Sequence, residues 1–189
     1  MLSTDINNED RQALLRIARE SIQYGLLHHQ TMPINIAEYN PVLQTHCASF
    51  VTLTIDQQLR GCIGTLEAYQ ALIKDVADHA YAAAFQDPRF APVSAEEEPR
   101  LHIDISVLTP AESIGFTSED DLINKIRPGQ DGLILEDGPY KGTFLPSVWE
   151  SLPRTEDFLN QLKQKAGLPS DHWSNNLRIS RYETIMIEE

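Results

Sequence analysis

The sequence predicts an α+β fold: a mixed, largely antiparallel sheet built from hairpins and packed by helices. Three observations carry this. Apolar residues repeat at helical spacing over residues 8–28 and again on the approach to Pro88. Two pairs of short strands are separated by turn residues, at 50–65 and 132–145. Residues 101–108 alternate strictly between apolar and polar. Helices and strands interleave, but hairpins among the strands argue against regular βαβ winding. The 189 residues fit one domain with two lobes. A chain of this length buries roughly 70% of the surface its unfolded form exposes, enough for a core without staples.

The first helix is carried by Leu14, Leu15, Ala18, Ile22 and Leu26, with Asn7 or Asn8 as its cap. Residues 31–41 hold Pro33 and Pro41 and read as a loop. Residues 50–55 and 59–65 read as strands that turn near Asp56, Gln57 and Gln58. A second helix is expected from Leu66 or Glu67, through Leu72, Val76, Ala80, Ala83 and Ala84, to about Gln86, because Pro88 stops it. Over 101–108, Leu101, Ile103, Ile105 and Val107 share one face, as in a half-buried strand that Pro110 ends. Ser118 with Asp121 resembles a capping box that opens a helix to about Ile126. Residues 132–136 and 140–145 form a hairpin about Asp137 and Gly138, and a helical turn follows Pro146. Thr155 is expected to cap a helix to Lys165 that Gly167 and Pro169 end, and residues 177–187 read as a final strand.

The net charge of -13 argues against a phosphate-backbone binder, whose affinity rests on Lys and Arg. The acid is concentrated: residues 94–121 hold eight Asp and Glu against Arg100 alone. That stretch is either a solvated face or a docking surface for a basic partner. No apolar run approaches the roughly 18 residues a membrane helix needs. The opening MLSTDINNEDRQ has neither a basic nor an apolar leader region, so a cytoplasmic location is expected. The six histidines show no metal-ligand spacing and no nucleotide-binding glycine loop appears, so neither a metal nor a cofactor is expected.

The segment LRGCIGT, residues 59–65, is where chemistry concentrates. Strand alternation puts Arg60 and Cys62 on one face, roughly 6.6 Å apart along the chain. A fixed cation near a thiol favours the thiolate. Gly61 and Gly64 leave main chain uncovered, and Thr65 would stand at a helix start able to hold a small anion. Three readings stay open: a catalytic thiol, a ligand or partner site, and plain structure, since free cysteine is most often buried and inert. No general base is identifiable; His46 or His79 would have to be brought there by the fold. With the turn near residue 57, Cys62 lies opposite about residue 52. Cys47 is then roughly 17 Å away, too far for a disulfide. Asp87, Pro88 and Arg89 read either as a turn locked by an Asp–Arg pair or as a loop aiming Arg89 into a site as an anion clamp. His102, Asp104 and Ser106 share a strand face, but their spacing is wrong for a catalytic triad and an exposed polar face accounts for them.

LRGCIGT, AAAFQDPRF, DISVLTP, DGLIL, KGTFLPSVW and LKQKAGL together resemble the AMMECR domain family over nearly the whole chain, in particular the protein-A-like members of the AmmeMemoRadiSam system. The resemblance implies an α+β domain with a larger and a smaller lobe. It implies that the functional site is the hexapeptide, here Leu59, Arg60, Gly61, Cys62, Ile63 and Gly64. It implies a Memo-like protein and a radical SAM protein as partners, and no particular reaction. Two functions follow as expectations. One is a small-molecule or protein-substrate site, with Cys62 and Arg60 catalytic and Arg60, Gly61, Gly64, Thr65 and Arg89 binding substrate. The other is a non-catalytic interaction module; a nucleic-acid-associated regulator ranks last. On the site reading, Arg60→Ala or Cys62→Ser abolishes function and leaves the fold intact.

Overall fold

The computed structural model describes residues 6–189, among which run five α-helices and eight strands. They form two compact units: one runs to Thr109 and takes up Ile185–Glu189 again, and the other is Pro110–Thr184.

The first unit packs α1 (Asn8–His28) and α3 (Leu72–Phe85) on one face of a sheet. The sheet's order is β2 (Gln58–Gly64), β1 (Ser49–Ile55), β3 (His102–Leu108), β8 (Thr184–Glu188). Helix α1 starts where expected because Asn7 and Asp10 cap each other. The Asp10 N–H donates to the Asn7 side chain at 3.0 Å, and the Asn7 N–H donates to the Asp10 carboxylate at 3.1 Å. It ends where His29 turns left-handed (φ 55°) and returns its N–H to Gly25. Leu14, Ile22, Val51, Leu53, Ile73, Val76, Ile103 and Ile105 are fully buried together. Each contributes about 1.5–3 kcal/mol of burial free energy.

Hairpin β1–β2 turns at Asp56 and Gln57, both with positive φ (50° and 63°), as a two-residue hairpin turn requires. Thr52 pairs with Cys62, the register the turn position predicts. The register then slips between Leu53 and Thr54: Leu53 pairs with Gly61 and Thr54 with Leu59. Arg60 is the extra residue, a β-bulge. Each outer strand of the sheet has main-chain groups taken up by other parts of this chain. Arg11 donates to the Met186 carbonyl on β8 at 2.8 Å, and the loop after α3 covers β2 at Cys62.

The second unit has the sheet order β4 (Glu112–Ser113), β7 (Arg178–Tyr182), β5 (Gly132–Asp137), β6 (Tyr140–Phe144), with α4 (Glu119–Lys125) and α5 (Thr155–Lys165). A short α2 (Pro41–Gln44) in the first unit completes the helices. Leu122, Leu133, Leu135, Phe158, Leu159, Leu162 and Ile179 make its core. Trp149 stacks on Phe158 at 3.8 Å between ring centroids and donates its indole N–H to the Asp131 carbonyl at 2.7 Å.

The expected α+β class, with largely antiparallel sheets built from hairpins and packed by helices, is what the structure shows, its strands divided between two four-stranded sheets. The structure corrects three finer expectations. The expected final strand breaks at Glu183: β7 joins one sheet and β8 the other, and the extended chain hides the break from periodicity. Helix α3 starts at Leu72, not at Leu66 or Glu67, because residues 70–72 are tied to 45–47. The Leu72 N–H donates to Thr45 O, and the Cys47 N–H donates to Gln70 O. Thr155 is the first residue of α5 rather than its cap; Arg154 holds the cap position without a side-chain bond.

Candidate functional site

Cys62 sits on edge strand β2, half-buried, on the sheet face turned away from α1 and α3. Thr52, its register partner on β1, donates its hydroxyl to the Cys62 sulfur at 3.2 Å. Gly61 points the other way, at α3. A Cβ there would lie 2.1 Å from the Ala83 carbonyl oxygen. A Cβ on Gly64 would meet the Phe50 ring at 2.3 Å and the Ser49 carbonyl at 2.4 Å. The space a Cβ would take at both glycines is therefore filled by this chain's own atoms: both permit close packing, and Gly61 is buried while Gly64 stays partly exposed.

The bulge removes Arg60 from the alternation with Cys62. Its Nε and Nη2 donate to the two Glu97 oxygens at 2.8 and 3.0 Å. Its third nitrogen, Nη1, is buried without a hydrogen bond, and the guanidinium carbon stands 5.9 Å from the Phe90 ring centroid. That hydrogen-bonded pair pulls the Glu97 carboxyl down to about 2. Arg60 therefore has no register partner on β1, and its guanidinium is committed to Glu97 rather than to Cys62. A bulge is invisible to strict period-two reasoning.

Arg89 is the cation beside Cys62. Its Nε and Nη2 donate to the Asp87 oxygens at 2.9 and 2.6 Å, and Nη2 also reaches the Cys62 carbonyl at 3.3 Å. The other Asp87 contacts are the N–H of Arg89 at 3.1 Å and the N–H of Cys62 at 2.9 Å. Asp87 is buried, and the Arg89 hydrogen bonds hold its carboxyl well below the usual range. Arg89 is held charged first by Asp87 and, to a lesser degree, by the Cys62 sulfur. The Asp–Arg lock is thus present, and it grips Cys62 by both main-chain polar groups. Each arginine of the region already has a carboxylate, so neither is a free cation.

Thr65 does not stand at a helix start. Its hydroxyl accepts the Glu67 N–H at 3.1 Å, and its own N–H donates to Ser49 O. His46 bridges Ala71 through the main chain. His79 faces the core side: its Nδ1 lies 3.1 Å from Asp75 Oδ2, which also accepts the Ser49 hydroxyl at 2.7 Å. Ser49 is 3.4 Å from that same Nδ1. A catalytic triad needs serine on the opposite ring nitrogen, so this cluster ties β1 to α3 and does not activate a serine.

Sequence reasoning missed the row across the sheet. Register places Cys62 opposite Thr52 and Thr52 opposite Asp104. The polar residues of β3 therefore share the face of Cys62. His102 contacts Asp104 at 3.2 Å, and Ser106 donates to the Met186 sulfur at 3.1 Å. Burial raises the Asp104 carboxyl, and Glu188 and Glu189 add to this against His102. Strand alternation showed the β3 face; only the register could show that it continues into Cys62.

Much of the acidic stretch is engaged within the chain. Glu97 binds Arg60, Glu98 binds Arg19, Glu119 binds Lys163, and Asp121 binds Lys125. Cys47 is buried with its sulfur on the Leu108 carbonyl at 3.2 Å, and burial pushes its thiol up to about 11. Both cysteines are free. Among the described residues, no three His, Cys, Asp or Glu side chains gather closely enough to hold a metal ion. Nor is any helix among them long and apolar enough to cross a membrane.

Comparison with known proteins places this architecture. The AMMECR1 family model matches residues 15–187. The Methanocaldococcus jannaschii protein MJ0810 is 39% identical, with 96% of this chain and 90% of that protein covered. A Sulfolobus acidocaldarius protein is 38% identical over 98% of this chain and 84% of its own length. The crystal structure of PH0010 from Pyrococcus horikoshii superposes with a TM-score of 0.84 at 34% identity, covering 95% and 91% of the two chains.

Proposed function

The chain belongs to the AMMECR1 family, and from that premise we propose that it acts on a small molecule or a protein substrate at the 59–64 segment, with Cys62 as the reacting or ligand-holding group. A Memo-like protein and a radical SAM protein are the partners of that proposal. The observation that carries it is Cys62: a half-buried residue whose sulfur accepts the Thr52 hydroxyl, on a main chain fixed at both its N–H and its carbonyl. A thiol held this way is positioned without being sealed off, unlike Cys47. Rigid placement of this kind is what a binding or nucleophilic site requires. Substrate selection falls to Arg89, whose exposed side chain keeps one guanidinium edge free of Asp87, while the remaining nitrogen of Arg60 is buried beside its Glu97 pair and acts by holding the segment in place.

A second reading, a non-catalytic interaction module, is favoured by one observation: among the described residues, no histidine or carboxylate hydrogen-bonds to the Cys62 sulfur. Brief exposure of native protein to a panel of small electrophiles, read by intact and peptide mass, separates the two. A single adduct on Cys62, absent from Cys62→Ser, supports the reactive site. Adducts that form only after denaturation favour the interaction module.

A further inference from the structure

We infer that Thr52 is the positioning residue for the Cys62 sulfur, its hydroxyl aimed at that atom in the place sequence spacing assigned to Arg60. The inference rests on the Cys62 reading proposed above.

Three observations lead there. The Arg60 guanidinium binds Glu97 through Nε and Nη2, and the bulge takes it out of the row of Cys62. The Arg89 guanidinium is matched by buried Asp87 and hydrogen-bonds Cys62 at its carbonyl oxygen, so it acts on the sulfur by charge alone and does not orient it. Among the described residues, the one side-chain hydrogen bond to the sulfur is the Thr52 hydroxyl at 3.2 Å, and the antiparallel register fixes that pair. A hydroxyl that donates to sulfur favours the anionic form over the neutral one. It is also held by a β-ladder, so it needs no rearrangement when the charge appears.

The groups facing the sulfur are these. From β1 it is Thr52, which is uncharged. From the loop after α3, Asp87 and Arg89 meet the Cys62 main chain, and the Arg89 charge also acts on the sulfur. One strand further along the row is Asp104, with His102 beside it and Glu188 next on β8. That carboxylate end opposes a second negative charge, so a donor immediately beside Cys62 matters more here than in a neutral setting.

The experiment uses iodoacetamide on the full chain. The thiol proton leaves to solvent, the sulfur attacks carbon, a C–S bond forms and iodide departs. One hydrogen bond to the anion is worth about a tenfold change in the thiolate-to-thiol ratio. The less basic sulfur is also the weaker nucleophile, which returns part of that, so Thr52→Val slows Cys62 alkylation at neutral pH about threefold. Its pH–rate profile moves to higher pH, while Thr52→Ser keeps the wild-type profile. Valine and serine both fit this strand position, and a thermal melt of each variant checks folding. Thr52→Ala provides the same loss of hydroxyl if valine does not pack. A wild-type profile retained by a folded Thr52→Val or Thr52→Ala overturns the role of Thr52 and leaves the Cys62 reading standing. A wild-type Cys62 that resists alkylation until denaturation overturns the Cys62 reading, and Thr52 falls with it.

Discussion

The carboxylate of Asp87 accepts the main-chain N–H of Cys62 at 2.9 Å, across 25 residues of sequence. One buried side chain therefore sets the position of the edge strand at the candidate thiol. Asp87→Ala strands that N–H and releases Arg89, and it should cost about 2 kcal/mol in urea unfolding. The pH dependence follows from the same contacts. Asp87 and Glu97 bind protons less readily folded than unfolded, Asp87 through Arg89 and Glu97 through Arg60. Their stabilisation is complete above the unfolded carboxylate values of about 4 and drains as pH falls toward about 2. Unfolding free energy should be level from pH 7 to 5 on their account and fall below about 4, with a shallower fall in Asp87→Ala.

Gly61→Ala drives a methyl into the Ala83 carbonyl, where the ideal position lies 2.1 Å from oxygen. Main chain cannot yield as a flexible side chain can, so the loss should reach about 3 kcal/mol. A melting temperature lowered by about 6–12 °C checks it. An unchanged melt means that α3 slides away, and the close approach is then not required.

Asp104 and Glu188 put like charges side by side on β3 and β8, and burial already disfavours an ionised Asp104. The folded carboxyl holds its proton to higher pH than the unfolded one, so its burden appears above about pH 4 and vanishes below. Asp104→Asn should stabilise the protein by up to about 1 kcal/mol at pH 7 and not at pH 3, in paired urea titrations.

Lys163 is fully buried, while its partner Glu119 is 39% exposed. Removing one partner has unequal effects on the two. Glu119→Ala leaves an ammonium inside with no carboxylate, facing just the Ser170 carbonyl and the Trp173 ring, at a loss of about 3 kcal/mol. Lys163→Met leaves a carboxylate that water can reach and a side chain that packs, and it should be nearly neutral. Equal losses in chemical denaturation would contradict this asymmetry.

Helix α1, both hairpins and the alternation of β3 were legible because each depends on local periodicity and turn chemistry. So was the pairing of Cys62 with residue 52, since a hairpin turn fixes register. What stayed hidden depends on long-range pairing. The slip at Arg60 redirects one guanidinium to Glu97, 37 residues away. The Asp87 grip on Cys62 and the continuation of the Cys62 row into Asp104 both join segments that no spacing connects. The late start of α3 has the same origin, in the bonds that tie 70–72 to 45–47. Residue types singled out the 59–64 segment as a candidate, but the partner of each of its residues was set by tertiary structure.

The central claim is that Cys62 is a reachable, positioned thiol. The most direct measurement is the iodoacetamide modification rate of each cysteine in native protein between pH 6 and 10, with peptide-level mass detection. Cys62 should react in the folded state at neutral pH. Cys47 serves as the internal control and should stay unmodified, because burial pushes it up to about 11. Equal protection of both cysteines, released together on denaturation, would contradict the account and return the 59–64 segment to the core.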